Sequence, residues 1–312
     1  MIVRNGISTW PSDSGPAVAT IGNFDGVHLG HRAIVRGVVD EARRLGAASV
    51  LVTFEPHPLA VVAPERRPPR IQTRRQRLAS LEALDLDEVR VVDFDLRLAS
   101  LEGETFFAEV LLPRLSVAAV HVGREFRFGK GRSGDVRTLE EIGRKHGFRV
   151  VGVPHVLLDG ETVSSSAVRA AVREGDAERA RRLLGRPFAL DGLVVRGDGR
   201  GRRMDFPTAN LGVENELLPR RGVYVTEAAV AGQRVPSVSN VGVRPTFGGT
   251  ALTVESHLLD WSGDLLGERL ELRFLARLRD ERAFSGAEEL ADQIARDRAA
   301  ASAWFHQQAA CR

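Results

Sequence analysis

The stretch AVATIGNFDGVHLGH, residues 17–31, decides the fold of this chain. Ala17 to Phe24 reads as a buried strand that ends in a glycine-containing turn. Ile34, Val38, Ala42 and Leu45 then recur at helical spacing, and Gly46 follows as a helix stop. A strand that turns tightly into a helix leaves backbone N–H groups at the positive end of a helix dipole, where a phosphate binds. Gly22 and Gly26 permit close backbone approach there, with Asn23, Phe24 and Asp25 completing the loop. His28 and His31 stand three residues apart, so one helical turn brings both rings to one face. Two imidazoles so placed can donate hydrogen bonds to charge that builds on a phosphate during attack. Two other readings remain. One is a glycine-rich turn with surface histidines. The other is a metal site, for which carboxylate or cysteine partners at ligand spacing are not evident.

Working outward, the alternation continues. Ser49 to Phe54 reads as a second strand, closed by Pro56 and Pro58, and Leu78, Leu81 and Leu84 mark a helix. Strands at Val89 to Phe94, Val117 to Val122 and Phe148 to Val153 alternate with helices at Phe106 to Leu115 and Thr138 to Lys145, the latter stopped by Gly147. Such alternation implies a parallel, doubly wound sheet that binds its ligands beyond the carboxyl ends of the strands. The pattern changes near Gly185-Arg186-Pro187. Short strand-like runs follow at Gly192 to Val195, Gly222 to Ala229, Val235 to Val238, Thr253 to Leu259 and Leu270 to Leu275. Ala287, Leu290 and Ile294 then mark a last helix. The expected fold class is α/β: a doubly wound parallel-sheet domain, residues 1–185, then a small antiparallel β-barrel with a C-terminal helix, residues 186–312.

Composition excludes several classes of protein. The chain has 312 residues, 43% of them hydrophobic and 27% charged, which is ordinary globular usage. The net charge is only +3, and no long block of one sign speaks for nucleic acid. All basic residues but Lys130 and Lys145 are arginines, which suit phosphate groups but also follow from genome base composition. Cys311 is the single cysteine, so no disulfide forms within the chain and a reducing compartment is expected. Met1 to Pro11 does not read as a signal peptide, and no apolar run approaches the ~18 residues of a membrane span. The expectation is a cytoplasmic protein with small-molecule partners, no nucleic acid and no membrane, as a monomer or weak homo-oligomer.

Further constellations carry chemistry. Ser164, Ser165 and Ser166 precede a helix, with Arg169 one turn in, so hydroxyls, N–H groups and a guanidinium converge on one anion site. An ordinary helix cap is the alternative for those serines. Gly197 to Arg203, GDGRGRR, is a second loop suited to phosphate, through Gly199, Gly201 and Arg202. Thr208 and Asn210 follow two residues apart, on one face of an extended strand, and offer the hard oxygens that Mg²⁺ accepts. Glu255 lies in an apolar strand-like run, where its carboxylate could deprotonate a hydroxyl or could simply face outward.

The H-x-G-H segment and the later S-S-x-x-R segment resemble those of the nucleotidylyltransferase superfamily. That resemblance implies that His28 and His31 contact the α- and β-phosphates of ATP, that Ser165, Ser166 and Arg169 hold the nucleotide, and that no covalent intermediate forms. TFEPHP, residues 53–58, and VGREFRFG, residues 122–129, narrow the resemblance to the FMN-adenylylating module of bacterial FAD synthetases. It implies flavin contacts from Phe54, His57, Pro58, Glu125, Phe126 and Phe128. FPTAN (206–210), SNVGVRPTF (239–247) and VESHLLD (254–260) are similar to the riboflavin kinase family, a small β-barrel. That similarity implies Thr208 and Asn210 near Mg-ATP, Glu255 as the base for the terminal ribityl hydroxyl, and Asn240, Arg244, Arg279 and Phe284 near the flavin. The chain departs from these families at Glu125, Ser166 and Met204, and at Asp205, where glycine is usual. The expected activity is ATP-dependent conversion of riboflavin to FMN and of FMN to FAD. Two rivals stand beside it: a nucleotidylyltransferase for another phosphorylated acceptor, and a non-catalytic flavin- or nucleotide-binding regulator.

Overall fold

A computed structural model describes residues 1–11, 15–197, 208–230, 232–246 and 249–310. The chain divides into two compact units, Met1–Pro69 with Arg74–Val163, and Arg70–Thr73 with Ser164–Arg312.

The first unit is built on six parallel strands: β1 (Ile2–Asn5), β2 (Ala17–Ile21), β3 (Ala48–Glu55), β4 (Glu88–Asp93), β5 (Val117–Gly123) and β6 (Arg149–Val153). Their order across the sheet is β1-β4-β3-β2-β5-β6, all neighbours parallel. The chain leaves β2 toward β3 and β4 on one side and returns to β5 on the other. The carboxyl end of β2 is therefore the point where strand order reverses, the place such sheets reserve for ligands. Every residue of β2 is buried, as befits a central strand covered on both faces. Apolar clusters fill both sides, one around Val50, Phe107, Val120 and Leu139, the other around Val18, Val35, Val38 and Leu81. Burying each such side chain is worth about 1.5–3 kcal/mol.

Helix α1 (Leu29–Leu45) ends at Gly46, whose φ of 61° suits a residue without Cβ. Short helices α2 (Pro58–Val62), α3 (Arg74–Glu82), α4 (Leu96–Ala99) and α5 (Gly103–Thr105) follow, then α6 (Val136–His146). The helix expected over Phe106 to Leu115 is a π-helical stretch, Phe106–Leu111, followed by a 3₁₀ turn, Leu112–Arg114. Pro113 in that turn has no N–H for a regular ladder. Strand β1 was not expected from the sequence.

The second unit opens with α7 (Ser165–Glu174) and α8 (Ala177–Leu184). Strands β9 (Phe188–Val195), β10 (Ala209–Val213), β11 (Gly222–Val230), β12 (Gln233–Thr246), β13 (Gly249–Leu258) and β14 (Arg269–Arg279) close into an antiparallel barrel, with helix α9 (Ala287–Ala310) after them. The expected fold class is thus what the chain adopts, with a sixth barrel strand, β10, that the sequence reading had not set apart. Two short strands, β7 (Leu157–Leu158) and β8 (Glu161–Thr162), form a separate hairpin in the first unit. Leu270, Leu272 and Phe274 alternate inward along β14. A register shift opposite Val225 and Thr226 then turns Ala276 to the other face, where Ala301, Trp304 and Phe305 of α9 pack on Val223, Val225 and Val238. The barrel interior also holds hydroxyls. Thr226 bonds Ser237 at 2.8 Å and Ser239 at 2.7 Å, and Ser239 donates to Ser256 at 2.9 Å. Each is fully buried and each has a partner, so the desolvation cost is offset.

The candidate functional sites

The loop at the end of β2 is held by burial of its own side chains. Phe24 and Val27 take φ of 49° and 41°, a region a β-branched residue rarely enters. Both are buried in the apolar cluster beneath α1, and that packing sustains the strained backbone. Gly26, with φ of 90°, needs its missing Cβ.

His28 is the N-cap of α1. Its Nδ1 accepts the backbone N–H of His31 at 3.3 Å, so in the neutral ring Nε2 carries the proton. The expectation of two rings on one helical face is realised in another way: His28 stands just before the helix. Its ring stacks on His31, centroids 3.7 Å apart and 19° between planes, and His31 leans on Phe24 at 5.0 Å. Gly30 lies directly beneath, where a Cβ would come within 3.2 Å of the His28 ring and 3.3 Å of the Val163 carbonyl oxygen. The far end of α1 is tied to the sheet by Glu41, which pairs with His121 on β5 and Arg149 on β6. Burial raises the Glu41 pKa, but hydrogen bonds from His121 and Arg149 outweigh it and hold the carboxyl below its ordinary value.

Asn23 and His57 meet across the loop. His57 caps α2 by accepting the Leu59 N–H at Nδ1, 3.1 Å away, and its Nε2 lies 3.1 Å from the Asn23 amide. Arg77 joins this group, donating to the Asn23 carbonyl and to Glu55, each at 3.2 Å. Neither Arg77 nor Glu55 was picked out from the sequence; neither lies in a recognisable spacing with the loop. Asp25 is buried and Gly22 packs against the Phe24 ring. Pro58 opens α2. Phe54 packs edge-on to Phe94. Phe128 is a core residue, slotted against Gly103 and Gly134, and Phe126, half-buried, stacks on it at 5.4 Å. Glu125 is exposed, with His155 at 3.3 Å. Ser164, not Ser165 or Ser166, caps α7, accepting the Ala167 N–H at 3.1 Å, and Arg169 is buried one turn in. Packing places these residues in the second unit.

In the barrel, strand register assembles the site. Asn210 on β10 and Asn240 on β12 both stand directly opposite Glu255 on β13. Asn240 in turn faces Val223 on β11, which faces Arg279 on β14. Directly opposed residues share a face. Four residues singled out from separate motifs thus form one row across the barrel: Asn210, Glu255, Asn240 and Arg279. Thr208, two residues before Asn210, lies just ahead of β10. Gly197 backs the Asn210 side chain, leaving no room for a Cβ. Glu281 rests its carboxylate against Gly242, beside the Asn240 amide. Phe284 lies under Arg279 and Arg282. Gly199, Gly201, Arg202, Met204 and Asp205 lie outside the described residues, as does the side chain of Arg244.

Among the described residues, no cluster of three His, Cys, Asp or Glu side chains could hold a metal ion, and no helix is long and apolar enough to cross a membrane. Thr208 and Asn210 instead offer a hydroxyl and an amide oxygen. These hard donors fit Mg²⁺, which takes few protein ligands and completes its shell with water and phosphate.

Comparison with known proteins agrees with both halves. A family model for FAD synthetase matches residues 11–167, and one for riboflavin kinase matches residues 184–305. A bifunctional riboflavin kinase/FMN adenylyltransferase of Escherichia coli K12 is 39% identical over 92% of either chain. One of Pseudomonas fluorescens is 42% identical, again over 92% of either chain. A solved structure described as a macrolide-efflux protein from Streptococcus pneumoniae superimposes with a TM-score of 0.88 at 27% identity, covering 97% of this chain and 99% of that one. With two family domains matched in order and relatives similar along nearly its whole length, the chain belongs to the bifunctional riboflavin kinase/FMN adenylyltransferase family.

Proposed function

We infer that this chain makes flavin nucleotides in two ATP-dependent steps, and that the residues gathered above carry them. The barrel phosphorylates riboflavin to FMN, and the module around the β2–α1 loop adenylylates FMN to FAD with release of pyrophosphate. The observation that carries the reading is the row Asn210–Glu255–Asn240, which sets a carboxylate between two amides on adjacent strands.

In the kinase step, Glu255 takes the proton of the terminal ribityl hydroxyl as that oxygen attacks the γ-phosphorus of ATP, and ADP leaves. Thr208 and Asn210 would hold Mg²⁺, which neutralises phosphate charge when bound. Asn240, Arg244, Arg279 and Phe284 lie on the flavin side, and Gly199, Gly201 and Arg202 on the nucleotide side. In the adenylyl step, a phosphate oxygen of FMN attacks the α-phosphorus of ATP. His28 donates from Nε2 to the charge that develops there, with His31 stacked beside it. Gly22, Asn23, Phe24, Asp25 and Gly26 cradle the nucleotide, and the resemblance assigns Ser165, Ser166 and Arg169 to nucleotide binding as well. Phe54, His57, Pro58, Glu125, Phe126 and Phe128 form the flavin side, Phe128 as the buried support of Phe126. The functional boundary is placed at 185/186, and the enzyme is read as cytoplasmic, a monomer or weak homo-oligomer.

Two variants separate the activities. His28→Ala with His31→Ala should lower FAD formation from supplied FMN by at least about 100-fold, since one lost donor to a transition-state anion costs about 3–4 kcal/mol. FMN formation should stay near wild type. Glu255→Gln should do the reverse, cutting FMN formation about 100- to 10,000-fold. Chromatography of flavins after incubation with ATP and Mg²⁺ reads both. If both variants lose both products equally, the assignment of one step to each module is wrong.

A further inference from the structure

Arg279 ends the row that contains Glu255, yet its guanidinium is turned toward the last helix. Nε donates to Asp297 Oδ1 at 2.9 Å and Nη2 to Oδ2 at 2.6 Å, a two-pronged pair, while Nη1 donates to the Asp280 carbonyl at 2.9 Å. Asp297 sits on α9 with only 7% of its surface exposed. Gln293, one turn earlier, donates to its Oδ1 at 2.7 Å. A carboxylate so buried and so fully bonded fixes its partner closely, because an unpaired charge there would be costly.

What Arg279 holds is the segment that follows it. Phe284 lies 5.9 Å from the Arg279 guanidinium and 4.8 Å from that of Arg282. Glu281 in the same segment rests against Gly242 beside Asn240, which faces Glu255. The far end is fastened by Ser285, whose N–H and hydroxyl both donate to Glu289 on α9. The segment between β14 and α9 is therefore tied to the helix at both ends and leans on the catalytic row in the middle.

We propose that Asp297, steadied by Gln293, is a positioning residue of the kinase site: it orients Arg279 and, through it, the Glu281–Phe284 segment that borders the bound riboflavin. The proposal rests on the kinase reading of the barrel. Asp297 touches no substrate; it decides how well the flavin-side surface is formed before riboflavin arrives. Its loss should thus appear in riboflavin binding more than in turnover.

The test uses the full chain. Asp297→Asn keeps the shape and removes the charge. We expect the KM for riboflavin to rise about tenfold, the scale of one charged hydrogen bond, with kcat within about twofold. FAD formation from supplied FMN should be unchanged. Asp297→Glu, which keeps the carboxylate, should recover part of the affinity, and Gln293→Ala should shift KM in the same direction by a smaller factor. If Asp297→Asn folds poorly, Gln293→Ala alone decides. A lowered thermal midpoint with unchanged riboflavin KM would reduce Asp297 to a helix anchor and overturn the proposal. A wild-type chain that makes no FMN would instead remove the kinase reading beneath it.

Discussion

Gly30→Ala tests the geometry of the histidine pair without touching either histidine. A Cβ at residue 30 would lie 3.2 Å from the His28 ring and 3.3 Å from the Val163 carbonyl oxygen. Contacts of 3.2–3.3 Å are tighter than ordinary packing, so a neighbour must give by a few tenths of an ångström. The carbonyl is backbone, whereas the His28 ring is a side chain, which accepts the His31 N–H at 3.3 Å and stacks on His31. The ring should therefore yield. A misplacement of about 1 Å can cost roughly 100-fold, so a shift of a few tenths of an ångström suggests a loss of about fourfold, or ~0.8 kcal/mol of transition-state stabilisation. Stability should change little. Alanine gains about 0.5–1 kcal/mol over glycine inside a helix, and the crowding opposes it. The assay is FAD formation from FMN beside FMN formation from riboflavin, with thermal unfolding of both proteins. FAD formation within twofold of wild type would refute the claim that the position of the His28 ring limits the adenylyl step.

Other expectations follow from the packing. Glu41 has a folded-state pKa below its unfolded value, so the stability it lends is present above the unfolded value, about 4.3, and is lost as pH falls through the folded one. Glu41→Gln should accordingly lower the melting temperature at pH 7, with the gap to wild type closing as pH falls below about 4; a constant gap down to pH 2 would show that shape, not charge, is what matters. Truncation probes α7 and α8, which pack in the second unit, with Ala180, Leu183 and Leu184 buried and Gly175 against the Tyr224 hydroxyl and Arg277. A kinase fragment beginning at Ser164 should melt several degrees above one beginning at Arg186, since a loss of about 1 kcal/mol shifts a domain of this size by roughly 2–8 °C. Equal melting temperatures would show that the two helices lend the barrel nothing.

The sequence disclosed what depends on period and on local chemistry. Apolar runs, glycine stops and the H-x-G-H and P-T-A-N segments are all local, and they placed the parallel sheet, the barrel and most candidate residues. What stayed hidden was non-local. Strand β1 is four residues long and pairs only with β4, some eighty residues on, so no pattern of its own announces it. The row across the barrel depends on register among β10, β13, β12, β11 and β14, which no single segment contains. Asp297 sits between Arg296 and Arg298 on α9, and only the fold shows that it is buried. The motif around Phe128 does not disclose that its ring is buried and stacks with Phe126.

The histidine motif has a local geometry that the helical-face argument does not supply. Two rings on one face of a helix could be three or four residues apart. In this chain His28 is a helix N-cap, whose side chain accepts from the N–H of the second or third helical residue. With His28 as cap, the third helical residue is His31, and the 3.3 Å bond from its N–H to His28 Nδ1 closes that ring. The cap also settles the tautomer, leaving the proton on Nε2, where a donor to phosphate needs it. Glycine between them follows from contact, since residue 30 faces the very ring that the cap has fixed. The glycine of H-x-G-H and the donor state of its first histidine thus come from a single device at the start of α1, which the second histidine closes with its backbone N–H. In the barrel, Glu255 is set between two amides by strand register instead. Both candidate sites place the groups proposed to react by backbone geometry, and that geometry is what the Gly30 and Asp297 variants disturb.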